Sequence, residues 1–313
     1  MIKEVKAVED LSVMFVSIIL PVYNRQETIT RAIESVLNQT FPHFELIVVD
    51  DASTDATSEV IKRFDDDRIR LIKLAENLGA NAARNVGIKE AKAEWVAFHD
   101  SDDVWMPQKL EKQVTLAIQE RAGSASIIYT SFLRFKSGET EYIPAKTGQE
   151  KQGNIHNQLL LGNFISTQTI MLKKEQLEAV GYFDETMPRF QDWEIALRLS
   201  RQYEFLWLDE PLVHVFYSNE SISADNNKLL QAYEIIFQKH RDMFEIAGSY
   251  YLANLLFSYG HNLLLVGGYK KGRKLLFLSL LHRFSMKSLI SLLCSFLGHR
   301  TYKRLYRYFN TIK

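Results

Sequence analysis

The sequence predicts an α/β protein in which helices flank a mostly parallel β-sheet, with a basic helical extension at the end of the chain. Three observations predict this fold class. Short apolar strands alternate with amphipathic helices through the first part of the chain, polar residues follow several of those strands, and the chain from residue 227 onward has a helical pattern.

The alternation is clearest in the first 132 residues. Continuous apolar runs predict strands at residues 16–20, 44–49, 70–74, 95–98 and 127–132. Apolar residues at three- and four-residue spacing predict helices at 24–39, 55–64, 79–91 and 107–121. Because helical crossovers join parallel strands, both faces of the sheet are expected to be covered.

The second part of the chain is less regular. Residues 134–157 are polar and predict a loop or excursion. A strand is predicted at 167–172, a helix at 190–201, and two short strands at 205–208 and 212–216. This pattern predicts a catalytic-type α/β domain over residues 1–225 and a helical extension over 226–313.

Composition narrows the possible cellular setting. Cys294 is the single cysteine in 313 residues, so no intrachain disulfide can form, as is common in reducing compartments. Residues 1–16 carry several charges and lack an apolar segment that ends in a cleavage site. No secretory signal is therefore expected.

Charge is distributed unevenly between the two parts. All 38 acidic residues precede residue 246, whereas 11 of the 38 basic residues follow it. Basic helices with Leu, Phe and Tyr suit an anionic membrane surface, and the alternative is a bundle that packs on the catalytic domain or on a second subunit. Charged residues interrupt every long apolar stretch, so no spanning helix is expected. The chain lacks a nucleic-acid-binding motif, and no nucleic acid is expected as a partner.

An acidic cluster follows the predicted strand at 95–98. Asp100, Asp102 and Asp103 fall within four residues, and such a cluster repels itself unless a cation neutralises it. A hard divalent ion that also grips a diphosphate would fit oxygen ligands of this kind. The alternative is an acidic turn in which Ser101 or one of the Asp residues, such as Asp103, caps the next helix. Asp50 and Asp51 follow another strand, and ligands bind at such strand ends in α/β sheets.

Five motifs occur in an order that resembles the family 2 glycosyltransferases, which are inverting enzymes with the GT-A fold. The resemblance covers about residues 15–218. The motifs are Ser17-Ile18-Ile19-Leu20-Pro21-Val22-Tyr23-Asn24, Val48-Val49-Asp50-Asp51-Ala52-Ser53-Thr54-Asp55, Asn77-Leu78-Gly79 with Ala83-Arg84-Asn85-Val86-Gly87, Asp100-Ser101-Asp102-Asp103, and Gly181-Tyr182-Phe183-Asp184-Glu185 followed by Gln191-Asp192-Trp193.

The resemblance implies roles for these residues. Asp102 is implied as the ligand of Mn²⁺ or Mg²⁺, and Asp100 as a contact to the donor or an aid to the metal. Asp51 is implied to contact the base of the nucleotide, which favours a UDP-sugar, and Arg84 to bind phosphate or hold the acidic cluster. The full set of implied donor contacts is Pro21, Tyr23, Asn24, Asp51, Arg84, Asp100 and Ser101.

Asp192 is implied as the catalytic base. Single displacement with inversion needs one base near the acceptor hydroxyl, and the alternative for Asp192 is a dipole partner of its own helix. Gln191 stands where relatives usually have an acid, and Glu194 is expected to be solvated. Residues 215–223 lack the Arg-x-His and Ser-x-Ser pattern of many relatives, while His214 lies nearby. His99 is expected to be a packed strand-end residue.

These implied roles predict a metal-dependent, hexosyltransferase-type enzyme of polysaccharide biosynthesis. It would move a sugar from a nucleotide sugar to a hydroxyl of a glycan or lipid-linked acceptor, as a peripheral protein at the cytoplasmic face of the membrane. Two alternatives remain, a sugar nucleotidyltransferase and a non-catalytic partner that binds nucleotide sugar. The first usually needs a Gly-rich, Arg- or Lys-containing segment where Pro21-Val22-Tyr23-Asn24 stands.

Overall fold

The computed structural model describes residues 11, 14–119, 126–136, 138–146, 148–217, 225–298 and 300–304. The chain divides into two units. The first unit comprises Met1–His156, Phe164–Thr186 and Gln191–Asn219, and the second comprises Asn157–Asn163, Met187–Phe190 and Glu220–Lys313. Most of residues 1–16, which predict no secretory signal, lie outside the described residues. The same holds for most of residues 215–223, which lack the Arg-x-His and Ser-x-Ser pattern.

The first unit is built on one mixed sheet, which confirms the α/β prediction. Its strand order is β3-β2-β1-β4-β8-β6-β9-β5, with β7 paired to β6. The pairs β1–β2, β1–β4, β2–β3 and β6–β9 are parallel, and the other pairs are antiparallel. The strands are β1 Val16–Val22, β2 Phe44–Asp50, β3 Ile69–Lys73, β4 Trp95–Phe98, β5 Val104–Trp105, β6 Ser126–Lys136, β7 Glu139–Ile143, β8 Ile170–Lys173 and β9 Glu204–Phe216.

Helices pack on this sheet with their apolar faces. Every residue of β1 and β2 is buried, as expected for strands with both faces covered. On helix α3 a Cβ at Gly87 would lie 2.5 Å from the Cγ2 of Ile19, so this motif glycine lets α3 approach β1 closely. The helices are α1 Ile29–Leu37, α2 Thr57–Ile61, α3 Ala80–Glu90, α4 Lys109–Gln119, α5 His156–Leu161, α6 Lys174–Ala179 and α7 Gln191–Leu199.

Three elements differ from the sequence prediction. Part of the expected loop at 134–157 is strand, because β6 continues to Lys136 and pairs with β7. The two strands expected at 205–208 and 212–216 are one strand, β9, with a register shift opposite Thr130–Phe132 that absorbs the intervening residues. Helix α1 begins five residues late, because Asn24 adopts a left-handed backbone with φ of 51°.

The described residues of the second unit from Asn226 onward are mainly helical, as predicted. Its helices are α8 Asn226–Ala247, α9 Ser249–Leu265, α10 Tyr269–His282 and α11 Met286–Cys294, and α11 leads into a short 3₁₀ turn at Ser295–Leu297. Helices α9 and α10 approach closely, since a Cβ at Gly260 would lie 2.9 Å from the carbonyl oxygen of Gly272. In the described ranges no helix has the length and apolar character needed to cross a membrane.

Candidate active site

The acidic loop lies between β4 and β5, at the edge where the parallel strands β1, β2 and β4 end. Asp103 anchors this loop and is 3% exposed. Its carboxylate accepts hydrogen bonds from Gln168 Nε2 at 2.6 Å and from the Phe216 amide at 3.0 Å. Burial raises the pKa of Asp103 well above its usual value. Asp103 therefore ties the loop to the end of β9, and the prediction that it caps the following helix is wrong.

Asp102 is the most exposed of the three loop carboxylates. Its side chain is 30% exposed, against 26% for Asp100, and its Oδ2 lies 3.9 Å from the Arg25 Nε. Burial raises the pKa of this carboxyl, the charge of Asp100 raises it further, and Arg25 opposes both effects. The Arg31 Nη2 donates to the Asp102 carbonyl oxygen at 2.5 Å and fixes the backbone. A cation near Asp102 would relieve the repulsion from Asp100.

Asp100 forms an ion pair with Arg84 from helix α3. The Arg84 Nη2 lies 2.7 Å from Asp100 Oδ1, and the arginine side chain is only 3% exposed. The Arg84 Nη1 donates to Asn81 Oδ1 at 3.2 Å. The burial of Arg84 excludes an ordinary surface ion pair. Arg84 holds the acidic loop, as one of its two implied roles requires.

Asp192 lies in the first turn of α7, where the charges of Arg84 and Asp100 both act on its carboxyl group. Burial raises the pKa of its carboxyl to about 6, while Arg84 lowers the pKa and Asp100 raises it. Its Oδ1 accepts a hydrogen bond from the Trp193 amide at 2.8 Å. A carboxylate with a pKa near neutrality suits a general base. The fold thus brings Asp192 within electrostatic range of the Arg84–Asp100 pair, although about ninety residues separate Asp192 from the acidic loop in sequence.

The turns after β1 and β2 hold each other in place on the predicted nucleotide side. The side-chain oxygen of Asn24, Oδ1, accepts a hydrogen bond from the Thr54 backbone amide at 2.8 Å. The backbone amide of Asn24 donates to Ser53 Oγ at 3.0 Å. Tyr23 is 42% exposed and available for stacking, whereas Pro21 is buried within β1 opposite Val49. Ser101 is also buried. The donor contacts of these residues stay predictions.

Asp51 has a structural task beside its implied nucleotide contact. Its two carboxylate oxygens accept hydrogen bonds from the amides of Leu78 and Gly79, each at 2.8 Å, and the residue is 2% exposed. These bonds satisfy backbone donors at the start of α3. Asp51 therefore fixes the helix that carries Arg84. Its contact to a base stays a prediction.

Several residues that shape the site were not singled out from the sequence. Arg25 and Arg31 both approach the acidic loop, and only the position of Arg25 directly after Asn24 could have drawn attention to it. The Asn85 side chain donates from Nδ2 to the Phe183 carbonyl oxygen at 2.9 Å and accepts at Oδ1 from the Phe183 amide at 3.0 Å. These two hydrogen bonds attach the 181–185 motif to α3. The function of Asn85 needed the tertiary contact to become visible.

Two histidines lie near the site, and they differ in burial. His99 is fully buried, with its ring centroid 4.8 Å from that of Trp105, which confirms the expectation of a packed strand-end residue. Burial, with a smaller contribution from Lys109, lowers the pKa of His99 to about 3, so it stays neutral. His214 lies on β9 with its ring against Phe135, and burial lowers its pKa too.

Glu194 corrects a further expectation, because it is buried rather than solvated. Its side chain is 2% exposed and lies 2.6 Å from Arg198 Nη2, one helical turn away on α7. Arg198 also donates to the carbonyl oxygens of Val180 and Tyr182. This buried ion pair joins the helix of Asp192 to the 181–185 motif.

Replacing Arg198 by Met is expected to lower the free energy of unfolding by about 3–5 kcal/mol, because the buried Glu194 carboxylate would lose its ion pair with Arg198. Arg241→Met is the matched control. Its partner Glu245 is one helical turn away on the surface, and such pairs contribute only about 0.3–0.5 kcal/mol. Urea unfolding measures both variants, and equal effects would contradict the assigned role of the buried pair.

The donor set of the loop fits a divalent ion that is bound mainly through its substrate. In the part of the chain that the structure describes, no group of three or more His, Cys, Asp or Glu residues could hold a metal. Asp103 and Asp100 are engaged with protein groups, which leaves Asp102 as the available carboxylate. Mg²⁺-like ions commonly bind one or two carboxylates together with substrate phosphates and water. Asp102 alone would meet that requirement.

The fold and the site together define a glycosyltransferase with the GT-A fold. The model of glycosyl transferase family 2 matches residues 17–181. The chain belongs to this family, which confirms the resemblance and favours the transferase over both alternative functions.

Relatives of known name come from bacterial polysaccharide assembly. A putative teichuronic acid biosynthesis glycosyltransferase, TuaG of Bacillus subtilis, is 32% identical over 219 residues, which are 68% of this chain and 83% of TuaG. WfgD of Escherichia coli, a UDP-Glc:α-D-GlcNAc-diphosphoundecaprenol β-1,3-glucosyltransferase, is 35% identical over 159 residues. That match covers 51% of this chain and about half, 54%, of WfgD.

Solved structures of two glycosyltransferases share the fold. Staphylococcus aureus TarS in complex with UDP-GlcNAc has a TM-score of 0.63 at 18% identity, covering 94% of this chain and 92% of the other. The mannosyltransferase PcManGT from Pyrobaculum calidifontis, in complex with GDP-Man and Mn²⁺, has a TM-score of 0.59 at 18% identity. That match covers 89% of this chain and 78% of PcManGT. At this identity the likeness shows the fold alone.

Proposed function

We propose that this chain is an inverting, metal-dependent glycosyltransferase that moves a sugar from a UDP-sugar to a hydroxyl of a lipid-linked glycan. The observation that carries the proposal is the position of Asp192 in the first turn of α7, within electrostatic range of the Arg84–Asp100 pair. Nucleotide-sugar donors are named for WfgD, TarS and PcManGT. The uridine preference rests on Asp51 and on the donors named for WfgD and TarS.

Asp192 would act as the general base of a single displacement. As the acceptor oxygen forms its bond to the anomeric carbon, the bond from that carbon to the diphosphate breaks, and the hydroxyl proton passes to Asp192. A base with a pKa of about 6 is ionised at neutral pH and still takes up the proton readily. Arg84 opposes a further rise in that pKa and keeps the base charged.

Asp102 would hold Mn²⁺ or Mg²⁺ with the help of the donor phosphates. The ion, when bound, would neutralise charge that develops on the leaving diphosphate. Arg31 holds the backbone of Asp102, and Asp103 holds the loop to β9, so the ligand oxygen has a fixed position. Tyr23, exposed at the end of β1, would stack on the base.

A panel of nucleotide sugars tests the class of reaction. The protein is incubated with Mn²⁺ and UDP-, GDP- and dTDP-sugars, and release of the nucleoside diphosphate is measured with an undecaprenyl-diphosphate-linked sugar as acceptor. We expect acceptor-dependent release from a UDP-sugar. Release from no donor with this acceptor would contradict the proposed acceptor class, and release from a GDP-sugar alone would contradict the uridine preference.

We also propose that residues 1–225 form the catalytic part and that the helical extension, 226–313, places it at the cytoplasmic face of an anionic membrane. Of the described residues, eleven of the fourteen exposed large apolar side chains lie beyond residue 245. The α11 stripe consists of Met286, Ile290, Leu293 and Leu297, which are three or four residues apart, and each is at least 37% exposed.

Helix α10 presents a second stripe with a different composition. Lys270 and Lys274 precede Phe277 and Leu281 at the same helical spacing, and all four are exposed. Phe284, 67% exposed, lies in the turn between α10 and α11. No acidic residue occurs after residue 245. Apolar stripes beside lysines match the requirements of a helix that lies in the plane of an anionic interface.

The triple variant Phe277→Ser, Leu281→Ser and Leu293→Ser is expected to bind anionic vesicles at least about tenfold more weakly, because each buried apolar side chain contributes on the order of 1 kcal/mol. Flotation with phosphatidylglycerol vesicles measures this loss. The control, Phe15→Ser, removes an exposed apolar side chain from the first unit. Equal flotation of the triple variant and the wild type would contradict membrane binding through these stripes.

A further inference from the structure

Arg25 places a guanidinium group directly beside the acidic loop. Its backbone amide donates to Thr57 Oγ1 at 2.8 Å, which fixes the start of the side chain. The side chain is 29% exposed, and its Nη1 donates to the Asn24 carbonyl oxygen at 3.1 Å. Its Nε lies 3.9 Å from Asp102, beyond hydrogen-bond range. The start of the side chain is therefore fixed, and among the described residues the guanidinium has one hydrogen bond, to a backbone carbonyl, and a long ionic contact to Asp102.

The other two arginines at the loop are engaged with protein groups. Arg84 is 3% exposed and pairs with Asp100 at 2.7 Å. Arg31 donates to the Asp102 carbonyl oxygen at 2.5 Å, and its guanidinium lies over the Phe216 ring, 4.3 Å from the centroid. Arg84 and Arg31 both have short contacts, at 2.7 and 2.5 Å, that a ligand would have to break. Arg25 can turn toward a ligand at a smaller cost, because its hydrogen bond to the Asn24 carbonyl oxygen is longer, at 3.1 Å.

The reaction requires positive charge at this place. When the bond between sugar and diphosphate breaks, its electron pair goes to an oxygen of the β-phosphate. The acidic loop itself contributes three carboxyl groups at this place, Asp100, Asp102 and Asp103, and none of them can offset that charge. A guanidinium is always protonated and can give two parallel hydrogen bonds to a phosphate.

We propose that Arg25 binds the β-phosphate of the donor and of the departing nucleoside diphosphate. This inference rests on the proposed function, because it places the diphosphate next to Asp102. The proton stays on Arg25 throughout, so its contribution is electrostatic and geometric. Its contact strengthens as the leaving oxygen gains charge, and it therefore favours the transition state over the bound donor.

Binding of nucleotides that differ by one phosphate tests the assignment. The dissociation constants of UDP, UMP, GDP and GMP are measured by calorimetry with Mn²⁺ present, for the wild type, Arg25→Gln and Arg25→Lys. Arg241→Gln is the control, because Arg241 forms an exposed pair with Glu245 on α8, in the second unit. For the diphosphate that the wild type prefers, we expect Arg25→Gln to bind about tenfold more weakly or worse. Binding of its monophosphate should change less than twofold, and Arg25→Lys should lie between.

The outcomes separate the inference from the proposed function. Unchanged affinity of Arg25→Gln for the diphosphate would overturn the assignment, while wild-type binding would still support the donor site. An equal loss for diphosphate and monophosphate would also overturn it, because the contact would then not be to the β-phosphate. A wild type that binds none of the four nucleotides would contradict the proposed function and the inference with it.

Discussion

Replacing Asp192 by Asn is expected to lower turnover with acceptor at least about a hundredfold, because general base catalysis typically contributes about 10²–10⁴ in rate. The change keeps the size of the side chain and its place at the start of α7. Donor affinity should stay within about twofold, since Asp192 is assigned to the acceptor. A donor-binding measurement alongside acceptor-dependent turnover separates the two effects, and a variant with intact turnover would contradict the base assignment.

The pKa of Asp192 also predicts how this variant responds to pH. For the wild type, turnover should fall on the acidic side with an apparent pKa near 6, because protonation removes the base. The folded-state pKa lies above the ordinary value of 3.8, so ionisation of Asp192 costs up to about 3 kcal/mol of stability. This cost is fully present above pH 6 and disappears as the pH falls below 3.8.

Asp192→Asn should therefore be more stable than the wild type at pH 8, by at most about 3 kcal/mol, and the two should converge near pH 3. Chemical denaturation across this pH range measures the difference. A variant that loses activity and gains stability at high pH would match a buried base that is kept ionised for function. Loss of both activity and stability would indicate a structural role.

Replacing Asp102 by Asn is expected to remove the effect of Mn²⁺ on nucleoside diphosphate affinity. Loss of even a supporting residue near a metal typically costs about 10–100-fold in affinity. Loss of the one available carboxylate should cost at least that much. The side chain is 30% exposed, and its pKa is raised in the folded protein, so removing the charge should not lower the free energy of unfolding at neutral pH.

Calorimetry of UDP binding with Mn²⁺ and with EDTA measures this effect. Asp65→Asn, which removes an exposed carboxylate outside the site, is the matched control and should behave as the wild type. If Asp102→Asn kept its full response to Mn²⁺, the ion would bind through other ligands. Direct titration of Mn²⁺ by electron paramagnetic resonance would then show undiminished binding in the variant.

Sequence order was sufficient to predict the first half of the sheet. Strands β1, β2 and β4 are continuous apolar runs with polar residues at their ends, so periodicity identified both the strands and the edge that carries Asp51 and Asp102. The antiparallel part was harder to predict. Strand β9 contains Pro211 and a register shift, and a short-range pattern separates it into two strands.

Within the site, the residue types were predictable and their partners were not. Asp103 lies in the same acidic motif as Asp102, and only the approach of Gln168 and Phe216, from distant parts of the chain, gives it an anchoring task. Glu194 resembled a surface acid in the sequence. Its burial depends on Arg198, which also bonds carbonyl groups of another motif, and the sequence does not show that contact. Burial of charge depends on such long-range packing, which local patterns do not contain.

The most direct test of the central claim is the anomeric configuration of the transferred sugar. The protein is incubated with Mn²⁺, an isotopically labelled UDP-sugar and a lipid-linked acceptor, and nuclear magnetic resonance of the product determines the new linkage. Single displacement with Asp192 as the base predicts a product of opposite anomeric configuration to the donor, and Asp192→Asn should form almost none. Retention of configuration, or equal product formation by the variant, would contradict the proposed mechanism.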